Sequence, residues 1–129
     1  MFRVFTPFLA ALMIVVGPVS GAEDSSHLNK RELNALLASA ATAADHLRLA
    51  QHYKFEATQF KSKQEEHQIQ AAEYYRNPGR YPIPKYPTMG QHCRDLAGYY
   101  GKKTNDATRL MAVHEAVAGR LQAHAGNPN

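Results

Sequence analysis

Beyond residue 42 the chain carries two lines of residues that each repeat every seven positions. Positions 43, 50, 57, 64 and 71 read Ala, Ala, Ala, Gln, Ala, and positions 46, 53, 60, 67 and 74 read His, Tyr, Phe, His, Tyr. The lines are three residues apart, the spacing that places both on one seam of a helix packed against a partner helix. The same arrangement returns after residue 88. One line is Gly90, Ala97, Thr104, Met111, Ala118, and the other is Cys93, Tyr100, Ala107, His114, Leu121. Each segment thus has one mostly small line and one mostly large line.

Folded as an antiparallel hairpin, the segments match when paired residue numbers sum to 164. His46 then faces Ala118, Tyr53 faces Met111, Phe60 faces Thr104, His67 faces Ala97 and Tyr74 faces Gly90. In the other direction Ala43 faces Leu121, Ala50 faces His114, Ala57 faces Ala107, Gln64 faces Tyr100 and Ala71 faces Cys93. Most layers set large against small, which lets facing side chains interdigitate. The symmetry point is residue 82. Independently, it is the centre of Asn77-Pro78-Gly79-Arg80-Tyr81-Pro82-Ile83-Pro84-Lys85-Tyr86-Pro87, whose four prolines cannot continue a helix. A helix of about 33 residues is roughly 50 Å long, so the hairpin is narrow.

Cap signals set the ends. Asn29 with Glu32 is a capping box, flanked by Leu28 and Leu33 as a hydrophobic staple. It starts a short helix over about 30–40. Thr42 caps a helix over 43–76, with Asp45 placed to favour its dipole. Thr88 with Gln91 opens a third helix over about 89–121, where Gly119 marks a fraying end. TAADH at 42–46 resembles TMGQH at 88–92, and LAQHY at 49–53 resembles LAGYY at 96–100. Duplication and shared packing constraints both account for this. The third helix keeps a second apolar edge at Leu96, Leu110, Val113 and Val117. Leu33, Leu36 and Leu37 of the short helix are expected to cover its distal part, leaving Leu96 exposed.

The start of the chain has a different character. Arg3 precedes an apolar run from Val4 to about Gly17, and Ser20 and Ala22 supply small residues at the −3 and −1 positions. This is the pattern of a secretory signal peptide, residues 1–22, cut after Ala22. Pro7 and Pro18 and the shortness of the run argue against an uncleaved span. The expected location is periplasmic or secreted, with no membrane span after cleavage. The chain's 44% hydrophobic content then overstates the core. Residues 23–129 hold only 17 Leu, Ile, Val, Met and Phe side chains, beside 17 alanines and 7 tyrosines. Close alanine-lined packing or self-association has to compensate, and homodimerisation is a natural extension.

Little of the composition points to chemistry. A net charge of +4 without tryptophan leaves no nucleic-acid footprint. There is no G-x-S-x-G, phosphate loop or zinc-spaced cysteine cluster. His46 and His114 lie one layer apart on the seam, near enough to share a transition metal, with His52, Asp45 or His124 as further ligands. The alternative is that the seam histidines are half-buried and satisfied, His67 by Gln64 or Tyr100 and His114 by Tyr53. Cys93, opposite Ala71, reads as a buried inert thiol, or as an intermolecular disulfide in an oxidising compartment. The connector 80–87 is a stiff turn or a docking tip.

The segments SAATAADHLRLAQHY, the EEH ending at His67, and HCRDLAGYY resemble small exported bacterial helical proteins of uncharacterised function. The resemblance spans most of residues 23–129 and transfers no activity or site. The expectation is an all-α, Ala-rich, coiled-coil-like antiparallel hairpin with a short N-terminal helix. It would be a non-catalytic interaction or structural protein of unknown protein or envelope partner, or alternatively a periplasmic metal-binding protein using His46 and His114.

Overall fold

The computed structural model describes residues 26–77 and 88–127. The segment 1–22, expected to be a signal peptide, and the connector beyond Asn77 lie outside the described residues. Among the described residues three helices follow in order, α1 Lys30–Ser39, α2 Ala43–Arg76 and α3 Met89–Ala125. The described residues contain no strand. The chain is an all-α helical hairpin of α2 and α3, with α1 beside it.

Each helix begins where its cap satisfies amides that have no partner within the helix. The Asn29 side chain accepts from Glu32 N–H at 3.0 Å, and the Glu32 carboxylate accepts from Asn29 N–H at 2.9 Å. At α2 the Thr42 hydroxyl accepts from Asp45 N–H at 3.1 Å, and the Asp45 carboxylate accepts from Thr42 N–H at 3.0 Å. This is a full capping box, where the sequence suggested only a favourable charge. The backbone bond from Thr42 is the main reason the Asp45 carboxyl sits below its usual range, followed by bonds from the Thr42 side chain and the Ala41 amide. Thr88 accepts from Gln91 N–H at 3.2 Å, but the Gln91 amide donates onward to Asp95 at 2.8 Å. The expected Thr-x-x-Gln box is therefore only half made. The other end of α3 also differs from expectation, running through Gly119 to Ala125. One exposed glycine costs a helix only about 1 kcal/mol, and the alanines around it favour continuing.

All positions on the four seven-residue lines are buried or half-buried. Two α3 rings fix how the helices meet. His114 sits between His46 and Tyr53, with ring centroids at 5.3 and 5.6 Å. Two heptads away, Tyr100 sits between Phe60 and His67, at 6.3 and 5.5 Å. Each inserts as a knob between two α2 rings one heptad apart. Both brackets centre within half a residue of the pairing sum of 164. The remaining layers close through small residues, with Ala50, Ala71, Cys93, Ala97, Ala107 and Ala118 all buried. Near the connector the Tyr75 ring covers Gly90, so closely that a Cβ there would lie 3.0 Å from the ring.

The short helix does not do what the sequence suggested. It packs on α2 and buries no residue completely. Leu110 and Val113 of α3 stay 37% and 51% exposed. Val117 is half-buried, as is Leu96, which was expected to be exposed. The cause lies just before α1. Leu28 is buried, and its amide is bonded to His52 on α2, which ties the start of α1 to that helix.

Two substitutions test this packing. A Cβ on Gly98 would meet nothing within 4 Å. Gly98→Ala should therefore stabilise the fold by about 0.5–1 kcal/mol in urea unfolding. Ala107→Leu, in a closed layer, should cost about 1–3 kcal/mol by overpacking. Equal and small effects at both sites would contradict the closed seam.

Candidate functional site

Histidines gather at the end of the hairpin away from the connector. The heptad lines bring His46 and His114 together, with their Nδ1 atoms 3.0 Å apart. At that distance one ring donates and the other accepts, so the neutral pair shares a single hydrogen and the two rings take opposite tautomers at Nδ1. Tyr53 stacks on the other face of His114 with planes 5° apart. The partner of His114 is thus His46 by hydrogen bond and Tyr53 by ring stacking. Burial lowers the His114 pKa, and a neighbouring His46 charge lowers it further.

The separation of the two Nδ1 atoms is also close to that of two ligands held by one ion at about 2.0–2.1 Å. The supporting ligands expected from sequence are not brought to the pair. The Asp45 carboxylate is committed to the Ala41 and Thr42 amides. His52 has its own partner, described next, and His124 lies exposed in the last turn of α3. Among the described residues, no group of three or more His, Cys, Asp or Glu is placed to hold a metal.

His52 is the site residue that sequence reasoning undervalued, since it stands off the seam lines. It is 1% exposed. Its Nδ1 accepts from Leu28 N–H at 3.1 Å. An accepting Nδ1 in a neutral ring requires the hydrogen on Nε2. That Nε2 is buried without a hydrogen-bond partner, and its nearest carboxylate oxygen, on Glu56, is 3.8 Å away. The ring is therefore a poor metal ligand, because its only free nitrogen bears the hydrogen. His27 packs against it at 5.4 Å and against Phe55 at 5.0 Å. Burial is the main cause lowering the His52 pKa; a His27 charge adds to it, and Glu56 opposes it. The signal available in sequence was a second line beside the seam, Leu49, His52 and Glu56, at helical spacing.

Toward the connector the polar groups are tied to one another. The Gln70 amide oxygen accepts from His67 Nδ1 at 3.1 Å and from Cys93 Sγ at 3.7 Å. His67 was expected to use Gln64 or Tyr100; it bonds Gln70 and only stacks on Tyr100, with planes 3° apart. Gln64 instead lies against Gly101. Burial pushes the Cys93 thiol pKa up. The neighbouring His92 is exposed, so the two do not form a nucleophile and base. An open groove of about 380 Å³ runs nearby, between Gln68, Ala72, Tyr75, Arg94 and Gly98. The Arg94 guanidinium lies over the Tyr75 ring at 4.7 Å. No acid, histidine or thiol lines the groove.

Cys93 gives a direct check on this end. With a buried and poorly ionised thiol, alkylation of the folded chain at pH 8 should be slower than in urea by roughly 100-fold or more. Equal rates, or quantitative disulfide-linked dimers in the folded protein, would contradict the buried assignment. In comparison with known proteins, the chain matches no family model, no curated protein and no solved structure.

Proposed function

We propose that this chain is a non-catalytic helical interaction protein, working in the periplasm or outside the cell and docking a protein or envelope partner on its α3 edge. The observation that supports the reading is the placement of α1. With that helix tied to α2, Leu110 and Val113 remain exposed three residues apart on one face of α3. Such an apolar pair on a long stiff hairpin suits a helix or apolar surface laid alongside it. No helix among the described residues is long and apolar enough to cross a membrane. The export part of the reading rests on residues 1–22. A photoreactive amino acid at Val113 should give discrete adducts in the producing cell, whereas the same probe at exposed Thr58 should not. Identical outcomes at the two positions would refute the docking edge. Mass spectrometry of the same material should find Glu23 at the mature N-terminus, and an intact Met1 start would refute export by cleavage.

A second reading, periplasmic metal binding, is favoured by the 3.0 Å separation of the His46 and His114 nitrogens. A zinc, copper or nickel ion would take the place of their shared hydrogen, which would move to Nε2 of the donor ring so that both Nδ1 atoms ligate, with water completing the shell. Calorimetry should then show one ion bound per chain and no binding after His46→Ala with His114→Ala. Unchanged uptake in that double variant would sink this reading.

A further inference from the structure

The segment before α1 is held by an unusual bond. A backbone amide donates to a buried imidazole nitrogen, Leu28 N–H to His52 Nδ1 at 3.1 Å. The acceptor is a group that titrates near neutral pH. Protonating the ring would add a hydrogen to Nδ1, the atom to which the Leu28 amide already points. Two hydrogens would then face each other across a hydrogen-bond distance, and the bond would be lost. The other nitrogen offers a compensating partner. Its hydrogen lies buried and unbonded, 3.8 Å from Glu56, so a charged ring would gain an ion pair on that side. The titratable groups facing His52 are Glu56 and Tyr53 on its own helix and His27 on the segment itself. His27 stacks within 5.4 Å of the ring, so a charge on both rings adds repulsion across the contact that holds the segment down.

We propose that His52 is an acid-released latch, in which its protonation frees residues 26–28 from α2 and uncovers the His52 and Phe55 rings while the hairpin stays folded.

The direction of the effect follows from the sign of the shift. Burial favours the neutral ring in the folded state, so its pKa lies below the ordinary value of about 6.5. The open state binds the proton more readily. Latch stability is then complete above about pH 6.5 and declines as pH falls through that value toward the lower folded one. Asp45 cannot produce this response, because its carboxyl is held below the ordinary carboxylate range and titrates in much stronger acid. His114, whose pKa burial also lowers, lies at this end of the hairpin together with His46. They bond to each other on the seam rather than to the segment, so the test has to separate the two.

The test is amide hydrogen exchange by NMR on the intact chain between pH 7.5 and 5.0, read together with the imidazole nitrogen shifts of His52. Protection of the Leu28 amide, corrected for intrinsic exchange, should fall about tenfold, the order expected for one such bond. Its midpoint should coincide with the titration of His52, while Ala57 and Ala107 in mid-hairpin stay protected. His52→Asn places a non-titrating acceptor oxygen where Nδ1 stood and should keep Leu28 protected across the range. His46→Asn with His114→Asn should leave the pH response of Leu28 in place. The proposal is overturned if Leu28 protection does not change with pH. It is equally overturned if the loss follows His114 rather than His52, or occurs together with Ala57 and Ala107. Should the Asn variant fold poorly, the coincidence of the two midpoints in the unaltered chain decides the matter alone.

Discussion

Close approach of two long helices is the constraint on which the molecule depends. The described core has few large aliphatic side chains; Leu28 and Leu49 are the only buried leucines among the described residues. A seam of this kind gains its contacts by bringing backbones near one another, which requires a small residue opposite each ring. His114 and Tyr100 show the rule at two places, each a ring lodged between two rings of α2 with alanines completing the layers. A slip by one heptad would still set each large line against a small one, but it would part each of these rings from one of the two α2 rings that bracket it. Volume thus decides which lines face each other, and the ring contacts with the His46–His114 bond mark the heptad at which they meet.

The same constraint decides where polar groups end up. Histidines on the seam cannot reach bulk water freely, so they bond across it or along it. His46 meets His114, and His67 meets Gln70, which also accepts from Cys93. These contacts satisfy groups that would otherwise be buried at a cost of about 1–3 kcal/mol each. His52 lies just off the seam, and its acceptor nitrogen is satisfied by the chain before α1 instead. That bond and the buried Leu28 side chain together tie the start of α1 to α2, while Leu110 and Val113 of α3 stay exposed.

The hairpin was legible because its signals are local and repeated. The seven-residue lines, the proline-rich break and the caps at Asn29, Thr42 and Thr88 agree on the same three helices. The ends were less legible where a side chain had two choices. Gln91 prefers Asp95 to the cap amide, and Gly119 is too weak a breaker within an alanine-rich turn. The placement of α1 was not readable, since it depends on one backbone amide finding one imidazole 24 residues away. Pattern alone made α1 a cover for α3, because Leu33, Leu36 and Leu37 match that edge in character. Of the candidate site, the approach of His46 to His114 followed from the register. The role of His52 did not, since no side-chain motif marks an acceptor of a backbone hydrogen.

The pairing of α2 with α3 is open to one direct measurement. Cysteines at Ala50 and His114, in a Cys93→Ala background, face each other in this register. Cysteines at Ala57 and His114 are displaced by one heptad, about 10 Å along the axis. Under mild oxidation the first pair should close an intrachain disulfide and the second should remain reduced. Closure of the second pair in preference to the first, or of neither, would contradict the pairing in which facing residue numbers sum to 164.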